Sequence, residues 1–235
     1  MRVDLYKDGI GAVEYVSHMG TDLSVVNAAR VSFGAEKKDL SEKDIKLINY
    51  LMQHNHSSPF EHCVLTYKFT VPLFIRSQHH RHRTWAYNEI SRRYTSVDMN
   101  FYCPPEFRTQ HKSNRQASED VWINPNVESY ITNLSVSSDA SSLVDLHHKN
   151  SIHLFNGLLK SGVCREQARG VLPQNLYTQY FGTVNLHNLL KFVSLRIHEG
   201  AQWEIQQVAS ACLQIAKEHF PHSVAAYAQK YNMEL

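Results

Sequence analysis

The sequence QHHRHRTWAYNEISRRY occupies residues 78–94 and concentrates four arginines and three histidines, without a lysine. A guanidinium group offers a planar fork of donors that matches phosphate and carboxylate geometry better than an ammonium group does. The aromatic residues Trp85, Tyr87 and Tyr94 are interleaved with these charges, and the apolar run 73–75 precedes them. This pattern indicates a partly buried segment, where an unpaired guanidinium is costly. The stretch therefore predicts a site for an anionic ligand, a phosphorylated or nucleotide-like molecule.

Three other interpretations of the same residues are open. The first is a solvated basic helix end. The second is a metal site, for which the candidate ligands are His54, His56, His62, His79, His80 and His82. Neighbouring cations disfavour it, and no Cys or Glu has ligand spacing, so we expect no metal. The third is a nucleic-acid surface, because arginine-rich segments with aromatic residues bind strands by stacking and phosphate contact. The net charge of only +2 argues against a polymeric partner.

The composition is typical of a soluble globular protein, and 235 residues fit one large domain or two small ones. The order of the predicted elements favours one domain over residues 1–235. Hydrophobic residues make up 43% of the chain and charged residues 20%. The four cysteines are widely spaced without a CxxC pair, which argues against a zinc ribbon. The N-terminus has no apolar export segment, so we expect reduced thiols and a cytoplasmic setting. No run approaches 18 apolar residues, so we expect no membrane span.

Local patterns predict a mixed first half and a helical second half. The predicted strands are 2–6, 12–17, 62–71 and 177–184, and the predicted helices are 22–29, 42–54, 73–83, 152–161, 165–171, 186–197 and 205–215. Residues 88–94 are expected to be a loop, and the polar stretch 104–120 a mobile loop; residues 121–150 give no clear pattern. The predicted fold class is α+β, with a mixed or antiparallel sheet and a helical C-terminal half. No GxGxxG motif is present, so the sequence gives no sign of a dinucleotide-binding Rossmann fold.

Six segments resemble one family in the same order along the chain. Residues 81–94 resemble the pattern RHRxxSxNExSxRY of the flavin-dependent thymidylate synthases, with Ala86 where the family usually has Ser. The other similar segments are AARVSF (28–33), HSSPFEH (56–62), REQAR with LP (165–169 and 172–173), NLHNL (185–189), and LR with AQWEI (195–196 and 201–205). The chain is identified as resembling this family over nearly its whole length.

The resemblance implies an activity, cofactors and an assembly. The family converts dUMP to dTMP, with 5,10-methylenetetrahydrofolate as carbon donor, NADPH as reductant and FAD as hydride carrier. Its members are homotetramers whose active sites form where subunits meet, and its α+β fold is not a Rossmann fold. The opposing hypothesis is a nucleotide- or RNA-binding protein without catalysis.

The resemblance also assigns residues to roles. The implied flavin contacts are Ser58, Arg81, His82, Arg83, Asn88, Glu89, Asn185, Leu186, His187 and Lys191. The implied nucleotide contacts are Gln78, His79, His80, Arg81, Glu89, Ile90, Ser91, Arg92, Arg93, Arg169 and Arg196. Arg196 is the expected catalytic residue, because a guanidinium that stabilises charge at N3 or O2 of uracil makes its carbon 5 electron-rich.

Several assigned residues have a simpler interpretation. His187 can be a packed helix histidine, Lys191 a solvated lysine, and Arg196 an arginine extending from a helix end. Lys191 replaces a more usual Asn or His, and Gly200 stands where the family usually has His. Ser91 lacks an activating His and carboxylate pair, so we expect it to position the nucleotide and not to act as a nucleophile.

Overall fold

A computed structural model describes residues 1–131 and 134–234. The strands are β1 (Arg2–Asp4), β2 (Ala12–Met19), β3 (Val64–Pro72), β4 (Ala86–Glu89), β5 (Phe107–Gln110), β6 (Ser118–Ile123), β7 (Asn126–Ile131), β8 (Leu134–Asp139) and β9 (Tyr177–Asn185). The helices are α1 (Asp22–Arg30), α2 (Glu42–Gln53), α3 (Ser58–Glu61), α4 (Leu73–His79), α5 (Ala140–Lys160), α6 (Arg165–Ala168), α7 (Leu186–Arg196), α8 (Trp203–His219) and α9 (Pro221–Tyr231). Short 3-10 helices cover Val31–Phe33 and Arg169–Val171.

The main sheet has five strands in the order β1-β2-β3-β9-β4, and every neighbouring pair is antiparallel. Two smaller antiparallel pairs, β5 with β6 and β7 with β8, lie outside it. Helices α5 to α9 fill most of the second half of the chain. The predicted α+β class with an antiparallel sheet and a helical C-terminal half is therefore confirmed. In the described part of the chain, no helix is both long and apolar enough to cross a bilayer.

The centre of the core is strand β3, which lies between β2 and β9. Its residues Leu65, Tyr67, Phe69 and Val71 alternate along the strand and are fully buried. Helix α8 packs against β2, and α7 packs against β9, so this face of the sheet is covered by helices. The Tyr67 hydroxyl donates to the Cys212 carbonyl on α8 at 3.2 Å. Burial of each such side chain contributes roughly 1.5–3 kcal/mol, which makes this layer the base on which the site is built.

Most helices and strands predicted from local pattern are confirmed within a few residues. Helix α2 is a clear case, because Ser41 and Asp44 form a capping box at its start. The Ser41 hydroxyl bond and the Arg30 guanidinium lower the pKa of Asp44 to about 2, against the cost of its burial. The helix then buries Ile48 and Leu51 at helical spacing. Local signals alone are sufficient to place such an element.

The prediction of one helix through residues 73–83 is wrong in its second half. Helix α4 ends at His79, and the chain turns back into strand β4. The Tyr87 hydroxyl donates to the carbonyls of His79 and His82, at 2.9 and 3.1 Å. These carbonyls would otherwise accept bonds from a continuing helix, so the contact favours a turn. Residues 88–94 are correspondingly not all loop, because Asn88 and Glu89 pair with β9.

The prediction of a loop over residues 104–120 is wrong in part, because only 104–106 and 111–117 lie outside strands. Strands β5 and β6 form an antiparallel pair there, with Phe107 opposite Ile123 and Arg108 opposite Trp122. The Arg108 side chain binds Glu204 on α8, 96 residues away in sequence, at 2.8 Å. Arg108 on β5 is thus held by a residue 96 positions away, a contact that the local sequence pattern does not show.

Candidate active site

The Gln78–Tyr94 stretch runs from the end of α4 through a turn and along strand β4 at one edge of the main sheet. Its aromatic residues attach it to the core: Trp85 is buried and its ring lies 5.5 Å from that of Phe192. Gly182 on β9 allows this close approach, because a Cβ there would lie 2.8 Å from the Phe69 ring and 3.2 Å from Trp85. Arg81 and Arg83 are exposed. The segment is thus held to the core by its aromatic side chains, while Arg81 and Arg83 lie at the surface.

The histidines of the stretch differ in environment. His79 is fully buried, and its Nδ1 lies 2.8 Å from the Tyr180 hydroxyl. Burial, followed by the nearby His82 and His80, lowers the pKa of His79 well below its usual value. His80 is half-buried and stacks on Tyr87 at 4.0 Å between ring centroids, and burial lowers its pKa as well. The structure therefore places His79 in the core and keeps both rings neutral near pH 7.

Arg196 and His82 meet although they are 114 residues apart in sequence. The Arg196 Nε donates to His82 Nε2 at 3.0 Å, from the last residue of α7. Because arginine only donates, His82 must accept at Nε2 and carry its proton on Nδ1. Burial, then the charges of Arg196 and Lys191, lower the pKa of His82 to about 4. A neutral imidazole thus fixes the guanidinium through its Nε, and among the described residues the other N–H groups of Arg196 have no hydrogen-bond partner.

A cavity of about 350 Å³ lies at the other end of the stretch. Five residues expected at the nucleotide site line it: Glu89, Ile90, Ser91, Arg92 and Arg169. Arg76, Leu73, Leu172, Leu176, Tyr177 and Thr178 complete the lining. The cavity joins β4, the α4 helix and the 3-10 turn after α6, so it brings together segments that are far apart in sequence.

Two charged residues of this cavity are held by the chain itself. Glu89 accepts hydrogen bonds from Arg76 Nε at 3.0 Å and from the Thr178 hydroxyl at 2.7 Å. The Arg92 guanidinium donates to the carbonyls of Val97, Asp98 and Tyr177, the latter two at 3.2 Å. Burial lowers the pKa of Arg92, with the opposing charges of Asp98 and Glu89 next in size. The Arg92 side chain therefore organises the 91–98 loop and leaves Arg93 and Arg169 as the exposed cations at this end.

A second cavity, of about 320 Å³, lies between α2, α7 and α9. His187 and Lys191 line it, and so do Ser57, Lys230 and Tyr231. Of the remaining expected flavin contacts, Ser58 is exposed at the start of α3, and Asn88 lines a smaller cavity beside β4. The Asn185 side chain caps α7 by accepting from the Asn188 N–H at 2.9 Å, and Leu186 is fully buried. The expected flavin contacts are therefore spread over several surfaces of one chain.

Arg76, Thr178 and Gln202 are close to the site but were absent from the expected contacts. Arg76 stands two residues before the arginine-rich stretch, and this proximity is the sequence signal that could have placed it at the site. Gln202 accepts from the Gln78 Nε2 at 2.5 Å across 124 residues. Within residues 1–131 and 134–234, no group of three His, Cys, Asp or Glu side chains is arranged to hold a metal ion.

Residues 14–222 match the family model described as thymidylate synthase complementing protein. The chain belongs to this family. Its relatives include the flavin-dependent thymidylate synthase of Thermus thermophilus, which is 42% identical over 93% of this chain and 76% of that protein. The enzyme of the same name from Thermotoga neapolitana is 42% identical over 92% of this chain and 90% of that protein.

Solved structures agree with these relatives. The UMP/dUMP methylase PolB from Streptomyces cacaoi, in its complex with 5-Br UMP, has a TM-score of 0.77 and 28% identity over 99% of both chains. Its complex with 5-Br dUMP has a TM-score of 0.77 and 31% sequence identity over 97% of both chains. The resemblance drawn from the sequence motifs is confirmed, and so is the expectation that the chain is an enzyme of this methyltransferase family.

Proposed function

We propose that the chain methylates dUMP to dTMP, taking the carbon from 5,10-methylenetetrahydrofolate and reducing equivalents from NADPH through bound FAD. The observation that supports this most strongly is the meeting of Arg196 with the arginine-rich stretch at His82, 3.0 Å apart. Residues from distant parts of the family pattern thus converge on one edge of the sheet. Relatives at 42% identity carry the name flavin-dependent thymidylate synthase.

The nucleotide phosphate is assigned to the C-terminal end of the stretch, with Ser91, Arg93 and Arg169 as its contacts. Arg169 lines the 350 Å³ cavity together with Ser91, and Arg93, two residues after Ser91, is exposed. Guanidinium forks and loop N–H groups are the donors that phosphate prefers. Glu89 is held by Arg76 and Thr178, so it can accept from a ligand without first being ordered. Gln78 and Ile90 complete the proposed contacts.

The flavin is assigned to the Arg81–Arg83 end, with Ser58, Asn185, His187 and Lys191 as further contacts. The donor set fits a dinucleotide cofactor, because exposed Arg81 and Arg83 offer guanidinium forks to a pyrophosphate and His187 and Lys191 line a neighbouring cavity. When bound, FAD would supply the hydride chemistry. The chain's own part is to bind and orient it.

Arg196 is proposed as the residue that activates the base. Its Nε donates to neutral His82, so its terminal N–H groups can donate to O2 of uracil. Charge that accumulates there is stabilised by the guanidinium, as in an oxyanion hole, and carbon 5 becomes a better nucleophile. His82 holds the donor in place before the substrate arrives, which reduces the reorganisation needed in the transition state.

The assembly is proposed to be a homotetramer with active sites at subunit interfaces. Val31 is 73% exposed and Phe33 86% exposed, both on the 3-10 helix after α1. Large exposed apolar side chains often mark interfaces. The scatter of the expected flavin contacts over one chain is also consistent with a site that a second copy completes. Residues 1–235 are proposed to act as one domain, because one core cluster includes both Leu5 and Tyr227. The proposed setting is the cytoplasm.

The proposal is tested with purified protein reconstituted with FAD. We expect a flavin spectrum that NADPH bleaches, at a rate that responds to dUMP. A protein that takes up no FAD and binds oligonucleotides with strong salt dependence would instead support the non-catalytic hypothesis. Because PolB is a UMP/dUMP methylase, the same assay with UMP determines whether the 2′-hydroxyl is accepted.

A further inference from the structure

A buried carboxylate lies behind Gln78, among residues that the proposed nucleotide site does not use. Glu204 stands in the first turn of α8 and is 4% exposed. It accepts three hydrogen bonds: from Arg108 Nη2 at 2.8 Å, from the Tyr102 hydroxyl at 3.1 Å and from Gln202 Nε2 at 2.9 Å. All three partners are donors, so the Glu204 carboxylate acts only as an acceptor in these contacts.

The counter-charge of Glu204 is itself fixed in position. The Arg108 guanidinium carbon lies 5.2 Å from the Trp122 ring and 5.5 Å from the Trp203 ring, and the two indoles are nearly perpendicular. Such cation–π contacts and the ion pair restrain the guanidinium. Burial, and then Glu204, raise the pKa of Tyr102, so its hydroxyl stays protonated and donates. Glu204 therefore has a supporting set of groups that a simple surface ion pair does not have.

Because Glu204 acts only as an acceptor, it determines the orientation of the Gln202 amide, and the Gln202 amide in turn determines that of Gln78. Gln202 must turn its NH₂ group toward the carboxylate, because only that half of the amide donates. Its Oε1 then faces Gln78 and accepts from Nε2 of that residue at 2.5 Å. The Gln78 amide is consequently fixed with its NH₂ on Gln202 and its Oε1 available as an acceptor. A neutral group at position 204 would remove this constraint and allow both amides to rotate.

We propose that Glu204 is a positioning residue, which acts through Gln202 to present the Gln78 Oε1 as a hydrogen-bond acceptor to the nucleotide. The inference rests on the proposed function, in which Gln78 contacts dUMP. The complementary group on the nucleotide is a donor, either the imide N3–H of the base or the ribose hydroxyl. Arg108 links the β5–β6 pair to this relay, so that hairpin supports the substrate contact from behind.

The test is a double-mutant cycle on the FAD-loaded enzyme, with Glu204→Gln, Gln78→Ala and the combination. We expect Glu204→Gln to raise the Kd and KM for dUMP about tenfold, with kcat and flavin content little changed. In the Gln78→Ala background the same change should have less than about a twofold effect, because residues that act through one contact are not additive. Equal effects in both backgrounds, or an unchanged dUMP affinity, overturn the proposal.

Matched variants separate positioning from general damage. Glu199→Gln removes an exposed carboxylate five residues away in the preceding loop and should leave dUMP affinity unchanged. If Glu204→Gln does not fold, Gln202→Ala interrupts the relay while keeping the Glu204 pair with Arg108, and the same tenfold loss is expected. A wild-type enzyme that binds no dUMP removes the proposed function itself, whereas dUMP binding with additive effects overturns only the relay.

Two dUMP analogues identify the donor. The N3-methyl analogue lacks the imide proton and the 3′-deoxy analogue lacks the ribose hydroxyl. The analogue whose affinity no longer changes with Glu204→Gln has lost the donor that Gln78 binds. If both analogues remain about tenfold sensitive, Gln78 accepts from neither group and the proposal is wrong.

Discussion

The two ends of the Gln78–Tyr94 stretch differ in how much the chain itself organises them. At the C-terminal end, Glu89 is bound by Arg76 and Thr178, and Arg92 is bound by three backbone carbonyls. At the N-terminal end, Arg81 and Arg83 are exposed, and neither side chain has a hydrogen bond or ion pair to the described residues. The chain's own hydrogen bonds therefore order the C-terminal end, whereas the guanidinium groups of Arg81 and Arg83 have no partner among the described residues.

This difference suggests that the two ends bind different ligands. The C-terminal end, which we propose binds the nucleotide, is preorganised, so binding there loses little conformational entropy. We propose that the N-terminal end needs the flavin, and a second copy of the chain, to satisfy its guanidinium groups. Arg196 meets the N-terminal end, because it binds His82 between Arg81 and Arg83.

The largest expected effect is that of Arg196→Ala. If Arg196 stabilises charge on the uracil, turnover should fall by about 10²- to 10³-fold, with FAD still bound. Turnover is measured as tritium release from [5-³H]dUMP, and flavin content by absorbance. Loss of flavin with unchanged nucleotide affinity would refute the assignment of Arg196 to the base.

The next largest effect is expected at the N-terminal end of the stretch, where Arg81 and Arg83 are exposed. Arg81→Ala and Arg83→Ala should each weaken FAD binding by about tenfold or more, because each removes a charge-assisted contact worth about 1.5–3 kcal/mol. Neither should lower the free energy of unfolding of the FAD-free protein by more than about 0.5 kcal/mol, since both side chains are exposed. Titration with FAD and urea unfolding give the two numbers. A large loss of stability would show that this end is structural after all.

Arg92 and Arg93 offer a matched pair at the organised end. Arg92→Gln leaves three carbonyls without their donor, and we expect the free energy of unfolding to fall by about 1–2 kcal/mol. Arg93→Gln should leave stability unchanged, because Arg93 is exposed, and instead weaken dUMP binding. Urea unfolding of the two variants, with dUMP titration, checks both statements. The reverse pattern would contradict the distinction between the two residues.

The smallest effect concerns the proton on His82. Its pKa is about 4 in the folded protein, against about 6.5 for an unfolded chain. The folded state therefore binds fewer protons between these values, and the stability present above about pH 6.5 is lost as pH falls toward 4. NMR titration of the FAD-free protein measures the pKa directly. In Arg196→Gln it should rise but remain below 6.5, because burial is the larger cause; an unchanged value would contradict the contact.

How far the fold could be predicted depends on whether the deciding contact is local. Helix α2 was placed correctly because Ser41, Asp44 and the apolar periodicity are all within the helix or beside it. The end of α4 was misplaced because it depends on a hydroxyl from Tyr87, eight residues beyond it on a strand that had not been predicted. The start of α5 at Ala140 was missed, although Asp139 accepts from the Ser142 N–H as an N-cap. The N-cap signal is local, but the residues around it show no helical spacing of apolar side chains, so it does not by itself predict a helix.

The site shows the same limit. Its arginine-rich stretch and the segments that meet it were found by resemblance, and the structure brings Glu89, Ser91, Arg92 and Arg169 around one cavity. Residue type could not show that Arg92 turns inward while its neighbour Arg93 stays exposed. Local pattern could not show the role of Glu204 either, because its link to Gln78 passes through Gln202, which is 124 residues from Gln78.

The central claim is that both ends of the stretch serve one reaction, and tritium release from [5-³H]dUMP tests it most directly. The FAD-loaded wild-type protein should release tritium in a manner that requires methylenetetrahydrofolate and NADPH, and Arg196→Ala should reduce that release at least about 100-fold. A wild-type protein that binds both FAD and dUMP but releases no tritium under these conditions would contradict the account.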